Sequence, residues 1–151
     1  MIDLKETEPY IRAKRAKTLL NEGIVWLDTF RNGQVRKKIL DWIRLDQLKA
    51  RGVDANEEVI GFYSFLTSRI NPQKRFNTHY TLEDTGDFYR SMFIQVLIDS
   101  LIIDANTEKM EDQEWWRDSI VDLTEDNLQR LADVYKEALQ AEARRILVDG
   151  R

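Results

Sequence analysis

At 151 residues the chain has the length of one ordinary domain, and with 42% hydrophobic and 10% aromatic residues it can bury a core. It has no cysteine, which excludes disulfides, thiol catalysis and thiolate metal sites and fits a reducing cytoplasm. No apolar run approaches the ~18 residues of a membrane span, and Met1-Ile2-Asp3-Leu4-Lys5-Glu6 lacks the apolar core of a signal peptide. The net charge of −4 conceals a division. Residues 1–51 hold 12 Lys/Arg against 7 Asp/Glu, and residues 52–151 hold 11 against 20. The most acidic stretch, 104–126, has nine carboxylates against Lys109 and Arg117. Read blandly, these are solvated helix faces and loops. Read more sharply, they are opposite charges on two faces of a molecule that stacks head to tail.

Glu8-Pro9 can open a helix, because proline is tolerated at the first helical position. Tyr10 to Asn21 then reads as helical, ending near Gly23, with a basic cluster of Arg12, Lys14, Arg15 and Lys17. A second helical segment spans about Ile24 to Lys49, its apolar stripe including Val25, Trp26, Phe30, Ile39, Trp42, Ile43 and Leu48. Asn32-Gly33 interrupts it, so the segment is either one helix or two. Residues 52–80 change character. Gly52 to Asn56 reads as a turn, Val59-Ile60 and Phe62-Tyr63 as a short strand, and Arg69 to Asn77 as a loop or extended arm.

Asp84-Thr85-Gly86 is a turn signal, in which glycine supplies positive φ and the Asp and Thr side chains bond nearby N–H groups. Leu82, Asp84, Thr85, Gly86, Phe88 and Ser91 therefore read as an anchor at the edge of a sheet. Phe93 to Ile98 is a strand, Asp99-Ser100 a tight connection, and Leu101 to Ala105 the return strand. Trp115-Trp116 sits in a short turn or helix, one Trp packing in the core and the other available as an interface anchor. Thr124 caps a long helix to about Leu147, with Leu123 and Leu128 at staple spacing. Its expected buried stripe is Leu128, Leu131, Tyr135, Ala138, Leu139, Ile146 and Leu147. The predicted fold is α+β: N-terminal helices (1–51), a loop or arm (52–80), a turn and β-hairpin (81–105, with the hairpin at 92–105) and a helical region (115–148).

Catalytic and metal chemistry find little support. His79 is the only histidine, so a His-based triad or zinc site lacks a second converging group. Glu83, Asp84 and Asp87 cluster in sequence without the loop spacing of a calcium hand, which favours turn-capping by Asp84 and solvated carboxylates. Asp84-Thr85-Gly86 is also the triplet of aspartic proteases, where two copies share a proton. Charged Asp87, bulky Phe88-Tyr89 and the helical flanks oppose that reading. There is no Gly-rich phosphate loop and no Gly-x-Ser-x-Gly elbow. The basic run at 12–17 and Arg36-Lys37-Lys38 can contact phosphate backbones, but a pI near 5.1 opposes a dedicated nucleic-acid binder.

Several elements together resemble a family. Gly61-Phe62-Tyr63-Ser64-Phe65-Leu66-Thr67, the basic pair Lys74-Arg75, the run Leu82 to Ser91 and the hairpin that follows have the layout of tail-completion and neck (head–tail connector) virion proteins of tailed phages. Ile120 to Asn127, before a terminal helix, is most similar to those of crAss-like phages. The resemblance covers roughly residues 61–128. It implies a structural, non-enzymatic virion protein without cofactor. Such a protein acts as a homo-oligomeric ring, of twelve or six copies, against the portal or other neck and tail proteins. DNA contact in the channel is possible on this reading, and no membrane is involved. Lys74, Arg75, Phe76, Trp115 and Trp116 are the candidate subunit interface, and Arg12, Lys14, Arg15 and Lys17 a candidate basic face. The alternative is a soluble partner-binding or regulatory protein without a virion role; a hydrolase using Asp84 comes third.

Overall fold

The computed structural model describes residues 13, 14, 17–110 and 114–149. Residues 13, 14 and 17–19 are helical. The first helix thus stops before Asn21, and Gly23 does not terminate it. Asn21 instead opens α1 (Glu22–Arg31), its side chain accepting from the Ile24 N–H at 3.0 Å. Asn32 repeats the device for α2 (Gly33–Asp41), accepting from the Gln34 N–H at 2.9 Å. The interrupting pair is therefore a break between two helices.

Beyond Asp41 the chain keeps turning as a π-helix, Trp42–Arg51, stopped by Gly52 in the left-handed region. An α-helix advances about 100° per residue, which would set Leu48 well to the side of Ile43. The wider π turn brings Leu48 round to the face that holds Ile43 and Gln47, and all three are buried. Ile43 and Leu48, with Phe30, Ile39, Ile60, Trp116 and Ile120, belong to the hydrophobic core.

Val59-Ile60 and Phe62-Tyr63 do not form a strand. Only isolated bridges occur, Val53 to Val59 and Phe62 to His79. Glu57 and Gly61 hold positive φ there and keep the backbone from running straight. His79 packs so closely over Gly52 that a Cβ at that position would lie 2.3 Å from the ring, and its Nε2 is 3.0 Å from the Lys49 carbonyl oxygen. The loop expected over 69–77 starts two residues later. Its first residues end α3 (Phe65–Ile70), a helix too short to show a period and opened by Ser64, which accepts from the Thr67 N–H at 3.1 Å.

After α4 (Asp87–Ser91) come β1 (Phe93–Val96) and β2 (Leu101–Asp104), an antiparallel pair with Phe93 opposite Asp104 and Val96 opposite Leu101. Leu97 donates its N–H to the Ser100 carbonyl, so the bend falls at Ile98-Asp99, one residue earlier than expected. This displaces the pairing by two residues and leaves the inward face unchanged, because side chains alternate with period two. Tertiary contacts hold both ends of β1: the Trp26 indole N–H binds the Leu97 carbonyl at 2.9 Å, and Arg44 Nη2 binds the Met92 carbonyl at 3.1 Å. Ile94, Val96, Leu101 and Ile103 face the core, while Phe93, Gln95 and Ile102 face solvent.

A 3-10 turn (Glu108–Met110), α5 (Glu114–Arg117) and the long α6 (Glu125–Asp149) complete an α+β fold. Thr124 sits where expected, its carbonyl accepting from the Leu128 N–H, but its buried hydroxyl has no hydrogen-bond partner. The side chain that reaches this helix start is Gln47. Its Oε1 accepts from the Thr124 N–H (3.1 Å) and Asn127 Nδ2 (2.7 Å), and its Nε2 donates to the Asp122 carbonyl (2.9 Å). Of the two residues at staple spacing, Leu123 is buried and Leu128 is 46% exposed. Of the expected α6 stripe only Ile146 is fully buried; Leu131 and Tyr135 are half-buried against the core, and Leu147 is exposed. Tyr135 meets Trp26 edge-on at 5.2 Å and donates to the Glu22 carbonyl, which docks α6 on α1.

Candidate functional site: an arm and the cleft at its base

Residues 64–77 leave the body as an arm that returns on itself. Its base is stitched by backbone bonds from Tyr80 N to Gly61 O (2.8 Å), Tyr63 N to Thr78 O (2.9 Å) and Asn77 N to Tyr63 O (3.0 Å). Gly61 has φ +141° and lies under the Tyr80 ring, where a Cβ would come within 2.4 Å of Cε2. The Tyr63 and Tyr80 rings meet edge-on at 4.9 Å, and the Tyr63 hydroxyl is 3.1 Å from Thr81 Oγ1. Farther out, Phe65 and Phe76 meet edge-on at 6.0 Å, and the Arg69 guanidinium lies 5.9 Å above the Phe65 ring. On the arm, Phe65, Leu66, Ile70 and Phe76 are each between 61% and 77% exposed. Singly exposed apolar residues are ordinary, but four on one short excursion form an unusual exposed apolar group.

The run Leu82 to Ser91 forms the platform beside that base. Leu82 itself takes φ +55°, an uncommon conformation for a bulky side chain. Gly86 takes φ +78° and starts α4. The expected turn-capping by Asp84 is not seen. Asp84 reaches out to Lys74 Nζ at 3.1 Å, and Thr85 takes the local role, its Oγ1 accepting from the Asp87 N–H. Arg90 closes the turn through the Thr85 carbonyl (3.0 Å) and the Asp87 carboxylate (2.6 Å). Ser91 donates to the Phe88 carbonyl at 2.7 Å and accepts from the Asn106 N–H at 2.9 Å, tying the platform to the chain beyond the hairpin. Phe88 is buried beneath it. The Tyr89 hydroxyl donates to the Thr81 carbonyl; burial, with Glu83 and Tyr63 adding to it, pushes its pKa far above the usual phenol range.

Between arm and platform lies a cleft of about 500 Å³. Tyr63, Tyr80, Leu82, Phe88, Met110 and Trp116 supply its apolar walls, with Asp84, Asp87, Glu108 and Lys74 as charged groups. Every residue expected as the anchor lines it: Leu82, Asp84, Thr85, Gly86, Phe88 and Ser91. Lys74 and Trp116 join them from the candidate interface set, whereas Arg75, Phe76 and Trp115 are exposed elsewhere and do not line it. Trp116 is buried with its indole N–H unpartnered, and Trp115 is 61% exposed. Lys14 and Lys17 are exposed, and Arg12 and Arg15 lie outside the described residues.

The three clustered carboxylates diverge toward three cations: Glu83 to Lys49 at 2.8 Å, Asp84 to Lys74, and Asp87 to Arg90. Among the described residues no three metal-ligating side chains converge. Lys74 does double duty, its Nζ lying 5.7 Å from the Tyr63 ring centre while it holds Asp84.

Tyr80, Asn106, Glu108 and Met110 were not expected at the site, and isolated residues separated by a hairpin leave no local pattern. Away from the cleft, Asp54 is a buried carboxylate that accepts from the Asn56 and Glu58 N–H groups and from Ser119 Oγ (2.7 Å), pinning the 54–58 turn to the segment after α5. No family model, curated protein or solved structure matches the chain. No helix among the described residues is long and apolar enough to cross a membrane.

Proposed function

We propose that the protein is a structural, non-enzymatic virion component, a subunit of a head–tail connector or tail ring of a tailed phage, working by assembly into a homo-oligomeric ring against portal or neck proteins. The observation that carries this reading is the arm. Four large apolar side chains stand in water on an excursion whose base is fastened by backbone pairing and by the Lys74–Asp84 bridge. A fastened excursion loses little conformational freedom on docking, so more of its apolar burial is realised as affinity. The resemblance of residues 61–128 to tail-completion and neck proteins points the same way, as does the opposite charge of the two parts of the chain.

Native mass across a salt series, with class averages of negatively stained particles, tests it. Closed rings of six or twelve copies that loosen as salt rises support both the connector and its charge-complementary contacts. Rings indifferent to salt keep the connector and remove the electrostatic account. A monomer that also fails to bind a portal–tail complex overturns the reading in favour of a partner-binding protein without virion role.

A further inference from the structure

We propose that the cleft between arm and platform is the receptor for the arm of a second copy of this chain, so that copies join head to tail. The proposal rests on the ring reading and deepens it by naming the contact. The two surfaces match in chemistry. The arm offers Phe65, Leu66, Ile70 and Phe76, and the cleft answers with aromatic and aliphatic walls in a volume of about 500 Å³, room for several side chains. They also match in charge. The arm carries Arg69 and Arg75 and no carboxylate, while at the cleft Asp84, Asp87 and Glu108 outnumber the two cations that pair there, Lys74 and Arg90. Opposed charges of this kind select orientation and hasten encounter.

The chain does not use its own arm for this. Phe65, Leu66, Ile70 and Phe76 are exposed and take no part in the cleft's lining. The base of the arm is held by three backbone bonds and Lys74, which keeps the tip on a separate surface from the cleft. Donor and receptor are thus different patches of one molecule, a heterologous contact that repeats from copy to copy and closes into a ring when the rotation allows.

The absence of cysteine makes a direct test available. Gln73→Cys and Asn106→Cys place single thiols on the exposed arm and at the cleft, on exposed side chains that carry none of the apolar or charged groups of the proposed contact. The two variants are mixed and oxidised beside a control mixture of Gln73→Cys with Glu137→Cys, on an exposed position of α6. Docking raises the effective concentration of the matched thiols, so the arm–cleft pair should form disulfide-linked dimers about tenfold faster than the control or more. Control-level linking in a sample that native mass shows to be oligomeric overturns the arm–cleft contact and leaves the ring standing on other surfaces. Control-level linking in a sample that is monomeric at every concentration overturns the contact and removes self-association from the ring reading.

Discussion

Where α6 begins, Gln47, Thr124 and Asn127 are polar and completely buried; on the arm, Phe65, Leu66, Ile70 and Phe76 are apolar and mostly in water. The first region inverts the usual preference because Gln47 finds an acceptor or donor for each of its polar atoms. A buried amide is tolerated when every bond it made with water is replaced, and its directionality then fixes how the π-helix meets the start of α6. The second region inverts the preference with little inside the chain to compensate: Phe65 meets Phe76 and Arg69 lies over Phe65, yet the side chains stay mostly in water. Covering that apolar area would be favourable by about 25 cal/mol per Å² removed from water. One region uses polar groups to define the fold, and the other leaves apolar groups in water.

The largest effect that tests this contrast is expected at Gln47. Gln47→Ala strands the Thr124 N–H, the Asn127 amide and the Asp122 carbonyl, and should lower unfolding free energy by about 3–5 kcal/mol in a denaturant titration. A loss below about 1 kcal/mol would mean that water takes over those bonds and that the junction is less dry than it looks. Gly52→Ala comes next. Its φ of +62° disfavours a Cβ, and His79 would have to leave its place above Gly52, for a cost of roughly 2–4 kcal/mol in the same titration.

Tyr89→Phe should cost about 1–2 kcal/mol at neutral pH by leaving the Thr81 carbonyl without its donor. It also has a signature in pH. The folded phenol holds its proton to higher pH than the unfolded one, so the folded state binds more protons above pH ~10 and stability falls as pH rises from there. The phenylalanine variant should show a flatter alkaline limb, and an unchanged limb would mean that other groups govern it. Smallest in stability is the arm. Leu66→Ser with Ile70→Ser should stay within about 0.5 kcal/mol of the parent while abolishing self-association by native mass. A large stability loss would show that these side chains serve the single chain after all.

Local rules account for much of the architecture. Asn21, Asn32 and Ser64 cap helices because a short side-chain oxygen satisfies a free first-turn N–H. Of these, the Asn32-Gly33 break was signalled in the sequence, while Asn21 and Ser64 lay inside segments whose hydrophobic pattern spoke louder. The β-branched and aromatic run from Phe93 to Ile98 announced the hairpin, and a long apolar period announced α6. The anchor residues Leu82 to Ser91 were legible through their turn chemistry, and all six line the cleft.

Other features were settled by contacts between distant parts of the chain. The strand pattern alone cannot choose the bend at Ile98-Asp99, since a two-residue shift preserves the inward face; Trp26 and Arg44 hold backbone carbonyls at the two ends of β1. Gln47 displaced the Thr124 hydroxyl from the start of α6 because a side chain 77 residues away reached the Thr124 N–H. Lys74 drew Asp84 out of its turn for the same reason. The sequence by itself determined the α+β class, the hairpin's position, the length of α6 and the turn that carries the platform, all set by composition, periodicity and backbone preference within a few residues. Only the tertiary structure decided the π-helical phase, the hairpin register, the burial of Gln47 and Asp54, and the cleft, because each depends on which partner across the fold satisfies a hydrogen bond or covers a face.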